Sequence, residues 1–163
     1  MIIKIIVTLL GIWILFAIII PFLTMPNFYL IKLKPQHSKY IEQTARKLKA
    51  KTKEQTLKNI FKFVTTNYTG RKEKYKLAIY YNLFNSNVDK NLKKKKQFLA
   101  CHLQNFIIST LLKKTKQFTN KDIEERIYVT RYITIHQDLI IKIDNKKFHI
   151  DPFYREFKLI KTR

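Results

Sequence analysis

The apolar residues of this chain change their spacing once along the sequence, and that change restricts the fold more than any other feature. Up to about residue 112 they recur every three or four positions, as on one face of a helix. From residue 127 onward they alternate with polar residues, as in a strand, and β-branched and aromatic types dominate. Helices followed by an antiparallel sheet predict an α+β fold.

Helical spacing predicts four helices before the sheet. The second begins at a predicted capping box, in which the Thr52 hydroxyl accepts from an amide and Gln55 reaches back. The fourth carries the buried stripe of Leu103, Phe106, Ile107 and Leu111, as expected of a central helix. The polar segment 85–91 is predicted to be a loop. The predicted helices span residues 38–49, 53–66, 73–84 and 100–112.

The strand pattern in the last third of the chain predicts an antiparallel hairpin. Residues 139–143 and 147–150 form its two arms, joined by a tight turn at Asp144 and Asn145. A strand over residues 127–135 precedes the hairpin, and Phe153, Tyr154, Phe157 and Leu159 indicate a last edge strand.

The N-terminal segment is strongly apolar, since residues 5–31 contain no charged side chain. A helix needs about 20 such residues to cross a bilayer core of about 30 Å, and residues 5–24 meet that length. A cleaved signal peptide needs small residues before the cut, and none stand around residues 24–27. We therefore expect a transmembrane anchor at residues 1–25, a linker at 26–37 and a single domain at 38–163. The protein is then a single-pass membrane protein with the membrane as a partner.

The side of the membrane follows less firmly from the sequence. Lys32, Lys34 and Lys39 outnumber Lys4 in flanking positive charge, which favours a cytoplasmic domain. Long domains translocate regardless of charge, so the side stays open. The net charge of +22 comes mainly from lysine and predicts attraction to anionic surfaces. Arginine, the usual phosphate-binding residue, is scarce, so a compositional bias explains most of this charge.

Three residues carry the strongest functional signal. Cys101, the only cysteine, opens the fourth predicted helix, while His136 and Asp151 fall at the two ends of the hairpin. A thiol at a helix start, beside an imidazole and a carboxylate, is the arrangement of a cysteine nucleophile. A lone cysteine is otherwise a small buried hydrophobe, and His136 is otherwise an ordinary strand residue.

Two further histidines lie near these positions. His102 adjoins the cysteine but points about 100° away on a helix, so its predicted role is structural. His149 shares a strand face with Asp151 and is a weak alternative base. The chain lacks zinc-ligand spacing and an acidic cluster for calcium, and the chemistry requires no cofactor.

The same residues resemble the transglutaminase-like cysteine hydrolases, a branch of the papain-like fold. Cysteine, then histidine, then Asp-Pro after a hairpin is the order of that family, and the interval from His136 to Asp151-Pro152 matches without a gap. The helix ending in Asn67-Tyr68 is similar to a helix of the family. The resemblance covers about residues 52–154. Departures are Leu99 for the usual glycine, His102 for a frequent acidic residue, and two missing tryptophans, replaced by Asp138 and Lys147.

This resemblance implies acyl transfer at an amide, by hydrolysis of a peptide or glutamine side chain or by transfer to an amine. Cys101 would attack the carbonyl, His136 would move the proton, and Asp151 would orient the imidazole. The oxyanion donor stays open between the amide of Cys101 and a side chain, Gln97 or Asn91. The alternative is a catalytically inactive domain that serves as a basic, membrane-tethered binding module for anionic lipid or nucleic acid.

Overall fold

The computed structural model describes residues 2–19, 38–70, 87–94, 97–130 and 135–160. Within these ranges the chain forms five α-helices, α1 (Ile2–Ile14), α2 (Lys39–Leu48), α3 (Lys53–Asn67), α4 (Val88–Lys93) and α5 (Cys101–Lys114). It also forms six strands, β1 (Tyr68–Thr69), β2 (Gln97–Phe98), β3 (Ile123–Val129), β4 (Ile135–Ile143), β5 (Lys146–Asp151) and β6 (Glu156–Ile160). The described chain is an α+β protein.

Helices α2 and α3 begin at side-chain caps. Ser38 accepts from the amide of Ile41 at 3.1 Å, and Thr52 accepts from the amide of Gln55 at 3.2 Å. Each cap satisfies one of the amides that lack a partner in a first helical turn. The predicted capping box is only half formed, because the Gln55 side chain bonds Asn59 at 2.9 Å instead of reaching back.

Helix α5 is the centre of the core. Each of its residues from Cys101 to Leu112 is buried. On one side it packs against α2 and α3, and on the other against β4. Its apolar side chains meet those of the sheet in one cluster, which includes Leu103, Ile107, Leu111, Leu139, Ile141 and Ile150. A helix buried on all sides has a fixed position, so the residue at its N-terminus is fixed as well.

The four longer strands form an antiparallel sheet in the order β3-β4-β5-β6. In the β4–β5 hairpin, Ile143 pairs with Lys146 across the predicted turn. Asp144 in that turn has a φ of 51°, a left-handed conformation that aspartate tolerates better than most residues. Leu139, Ile141 and Ile143 therefore face the helices, and the residues between them lie on the opposite face.

A short parallel pairing leads into the central helix. Tyr68 pairs with Gln97 and Thr69 with Phe98, and the Leu99 amide donates to the Thr69 carbonyl at 3.2 Å. The side chain of Leu99 belongs to the apolar core. This ladder therefore fixes the backbone of the residues just before Cys101.

The prediction of a transmembrane anchor at residues 1–25 is wrong. In the described ranges the structure contains no helix with the length and apolarity that a bilayer crossing demands. The α-helix at this end, α1, has 13 residues, which rise about 20 Å and fall short of a core of about 30 Å. A π-helical segment, Leu15–Ile19, follows it. The membrane as a partner and the single-pass membrane location were therefore also wrong predictions.

Two further predictions have different outcomes. Residues 85–91, predicted as a loop, include the start of helix α4, which Asn87 caps by accepting from the Lys90 amide at 2.9 Å. Val88 and Leu92 of that helix are fully buried, so tertiary packing outweighs its polar composition. The helix predicted at 73–84 and the linker at 26–37 lie outside the described residues.

Candidate active site

Cys101 is the first residue of α5. Ala100 before it has an extended backbone and provides no side-chain cap. The first amides of a helix point outward without intrahelical acceptors, and together they carry a partial positive charge. The first turn of α5 contains no acidic residue to offset that charge. Because the thiol lies in this positive field, its thiolate form is favoured.

His136 and Asp151 form a buried pair on neighbouring strands. The Nε2 atom of His136 lies 2.7 Å from Oδ2 of Asp151, and the two residues are 4% and 2% exposed. The other carboxylate oxygen, Oδ1, accepts from the amide of Tyr154 at 3.1 Å. Both oxygens of Asp151 are therefore bound, and the imidazole is left with Nδ1 to face another partner.

The thiol of Cys101, which is 7% exposed, interacts with this imidazole electrostatically. Burial acts to raise the pKa of the thiol, but the neighbouring rings of His102 and His136 outweigh burial and lower the pKa to about 6. Burial acts to lower the pKa of His136, but the hydrogen bond with Asp151 and the interaction with Cys101 raise it to about 10. At neutral pH the two side chains therefore form a thiolate–imidazolium pair.

Aromatic rings surround the imidazole of His136. The ring centroids of Tyr128, Phe153 and Tyr154 lie 5.5, 5.6 and 4.9 Å from it. A Cβ atom on Gly70 would lie 2.5 Å from the Phe153 ring and 2.6 Å from its carbonyl oxygen. Only glycine, which lacks a Cβ, allows Phe153 to pack this close to residue 70. The three aromatic rings limit the access of water to the imidazole.

His102 is buried beside the thiol. Neither of its ring nitrogens makes a hydrogen bond of normal geometry with a described residue. The ring is nevertheless close enough to Cys101 to lower the pKa of the thiol. The structural role predicted for His102 therefore leaves out its electrostatic effect.

His149, the weak alternative base, is engaged elsewhere. Its Nε2–H donates to Oδ2 of Asp138 at 2.8 Å. Arg126 also binds Asp138, with Nε to Oδ1 and Nη2 to Oδ2 both at 2.8 Å. From the sequence, Asp138 was recognised only as the replacement of a tryptophan. The repeated His-x-Asp pattern at residues 136–138 and 149–151 was the available signal for this cluster.

Two of the donors considered for an oxyanion lack hydrogen-bond partners among the described residues. The amide of Cys101 is in the first turn of α5, where amides lack intrahelical acceptors. The Nε2 atom of Gln97 is buried and has no hydrogen-bond partner among the described residues. Asn91 is buried, and its backbone carbonyl accepts from the Tyr68 hydroxyl at 2.9 Å. Of the two side chains considered from sequence, Gln97 is favoured.

The described residues contain no group of three or more histidine, cysteine or acidic side chains arranged to bind a metal ion. In comparisons with known proteins, no family model, no curated protein and no solved structure matches this chain. The function of the protein is therefore inferred from the geometry of the site.

Proposed function

We propose that this protein is a transglutaminase-like cysteine hydrolase or acyltransferase that acts on an amide, either a peptide bond or a glutamine side chain. One observation carries the proposal. The imidazole of His136 is bound to Asp151 at 2.7 Å, and it interacts electrostatically with the thiol of Cys101, which stands at the start of a buried helix. A buried cysteine without a role would not need a charged imidazole oriented by a carboxylate.

The first half of the reaction is acylation. The Cys101 thiolate attacks the amide carbonyl carbon, and the electron pair of the C=O bond moves to oxygen. The amide of Cys101 and Nε2 of Gln97 donate to that oxyanion. The imidazolium of His136 then gives its proton to the leaving nitrogen, the C–N bond breaks, and a thioester on Cys101 remains.

The second half releases the acyl group. Neutral His136 takes a proton from water or from an amine, which attacks the thioester carbonyl. The C–S bond breaks and restores the thiolate, while the imidazolium forms again. Asp151 stabilises the imidazolium and holds the ring in one orientation throughout. Water gives hydrolysis and an amine gives acyl transfer, with the same residues.

The single cysteine makes a direct test possible, because any thiol label on the chain reports Cys101 alone. Iodoacetamide labelling is followed by intact mass from pH 5 to pH 11 for the wild type, H136Q and C101S. We expect fast labelling at neutral pH that slows at least tenfold in H136Q and is absent in C101S. Labelling at the rate of a free thiol, with no dependence on His136, would falsify the proposal.

A second measurement addresses the amide chemistry itself. The wild type is incubated with a glutamine-containing peptide and quenched in acid, and the intact mass is recorded. A thioester adds the acyl mass of the peptide with loss of ammonia, and it appears only when Cys101 is present. Labelling without any acyl adduct on a peptide panel would restrict the site to thiol reactivity.

A further inference from the structure

Strands β4 and β5 carry two His–Asp pairs, of which the proposed mechanism uses one. Each strand has the sequence His-x-Asp, at residues 136–138 and 149–151. Each histidine bonds the aspartate of the other strand, His136 to Asp151 at 2.7 Å and His149 to Asp138 at 2.8 Å. Residues two apart on a strand share a face, so the pairs lie side by side.

The third partners of the two pairs differ. The first pair meets the thiol of Cys101, whereas the second meets the guanidinium of Arg126, which binds both oxygens of Asp138 at 2.8 Å. Asp138 is 0% exposed. Burial acts to raise the pKa of Asp138, but Arg126 and His149 outweigh it and lower the pKa, so the carboxylate is ionised at neutral pH.

This second carboxylate lies close to the reacting groups. Two residues along a strand span about 7 Å, which is the backbone separation of Asp138 from His136. Charges buried at such a distance interact strongly and are little screened by salt. An uncompensated Asp138 would therefore favour the imidazolium of His136 and oppose the thiolate of Cys101.

We propose that Arg126 and Asp138 are a positioning pair for the reactive centre: Arg126 cancels the negative field of Asp138 at His136 and Cys101, so that the charge of the imidazole is set by Asp151 and Cys101 without a contribution from Asp138. This inference rests on the proposed function. The other titratable groups that face this pair or His136 are unchanged by the test, namely Cys101, His102, Glu124, Tyr128, His149 and Glu156.

The test is the pH profile of iodoacetamide labelling in the full chain, for R126Q, D138N and the double variant. R126Q makes the local potential more negative, so the thiol and imidazole midpoints should both move to higher pH. D138N makes it more positive, so both should move to lower pH. We expect the imidazole midpoint to move by about one pH unit. The double variant should return to the wild-type profile.

Two controls separate electrostatics from damage to the fold. Arg46 on α2 is exposed, and R46Q makes the same change in net charge, so its profile should match the wild type. R126K keeps the charge and should retain most of the wild-type profile even if the bidentate contact is lost. Thermal unfolding of every variant shows whether it is folded.

The possible results are distinct. Opposite movements of the two single variants, with recovery in the double variant, support the positioning pair. Equal movements, or none, overturn it, because damage to the structure slows labelling without displacing the midpoints in opposite directions. A wild-type thiol whose reactivity ignores His136 would instead defeat the proposed function, whatever Arg126 and Asp138 do.

Discussion

The imidazole of His136 and the carboxylate of Asp151 lie 2.7 Å apart and are almost completely buried. Both groups are held on adjacent strands of one sheet. Little conformational entropy is therefore lost when they reach the reactive geometry. The first prediction concerns this contact.

In D151N the imidazolium of His136 loses its negative partner. The pKa of His136, about 10 in the wild type, should fall by at least about one unit. The basic limb of the thiol-labelling profile should therefore move to lower pH by the same amount. D144N is the matched control, since Asp144 is exposed in the hairpin turn, and its profile should not move. An unchanged basic limb in D151N would mean that Asp151 does not charge the imidazole.

The second prediction concerns stability as a function of pH. The pKa of Cys101 falls from 9.0 to about 6 on folding, so its contribution is present above pH 9 and is lost as pH falls through 6. The pKa of His136 rises from 6.5 to about 10, so its contribution is present below pH 6.5 and is lost as pH rises through 10. Between about pH 6.5 and 9 the two dependences oppose each other.

Removing the thiol leaves only the histidine dependence. The free energy of unfolding of C101A should therefore decline with rising pH relative to the wild type, by up to about 1.4 kcal/mol per pH unit. Urea titrations at pH 6.5, 7.5 and 8.5 measure the difference between the two proteins. A difference that stays constant over this range would show that the thiol and imidazole are not charged as a pair.

The third prediction concerns Gly70. In G70A the new Cβ would meet the ring and the carbonyl oxygen of Phe153, and the backbone oxygen cannot rotate away. We expect a loss of about 1–3 kcal/mol in the free energy of unfolding. Labelling of Cys101 should slow as well, because Phe153 packs on His136. Gly11 has no atom within 4 Å of such a Cβ, so G11A should leave labelling unchanged. Equal effects of the two substitutions would argue against the contact.

The fourth prediction separates the two histidines next to the thiol. His102 lowers the pKa of Cys101 but does not bind Asp151. In H102Q the acid limb of the labelling profile should move to higher pH, while the basic limb set by His136 should stay in place. Movement of both limbs would show that His102 acts through His136.

The last prediction concerns Gln97, whose buried Nε2 has no partner among the described residues. Q97L removes that donor without breaking a hydrogen bond there, so the protein should keep its stability. The labelling profile should also be unchanged, because alkylation forms no oxyanion. Acylation by an amide substrate should slow about 10²-fold. Equal acylation rates in Q97L and the wild type would leave the amide of Cys101 as the donor.

Local sequence patterns predicted much of this fold. Caps and helical spacing placed α2, α3 and α5 to within about two residues, and the turn at Asp144 placed the hairpin. Such patterns are legible because they depend on neighbours in the chain. The β1–β2 pairing was not predicted, because two residues are too few to show a period. The N-terminal segment was wrongly predicted to be a transmembrane anchor, because the prediction considered only the length of the apolar run and not the point at which the regular α-helix ends.

Some residues of the candidate site could likewise be predicted from the sequence, and others could not. His136 and Asp151 could be named together because the spacing within a hairpin fixes which residues meet, and Cys101 was added from its place at a helix start. The cluster around Asp138 could not, because Arg126 comes from another strand and its pairing depends on the register of β3 against β4. The electrostatic effect of His102 on Cys101 could not be predicted, because the direction of a side chain on an isolated helix does not include the packing around α5.

The length of the turn at Asp144 and Asn145 sets the pairing register of the two strands of the hairpin. In both His–Asp contacts the aspartate lies two positions from the residue opposite the histidine in the register of the β4–β5 hairpin. The turn sets that register. Adding one residue there would exchange the two faces of one arm relative to the other. The two pairs would then fail together, although the insertion point is seven or more residues from His136 and touches neither of them. The length of this turn, at the opposite end of the hairpin from His136, is thus a condition for both His–Asp contacts.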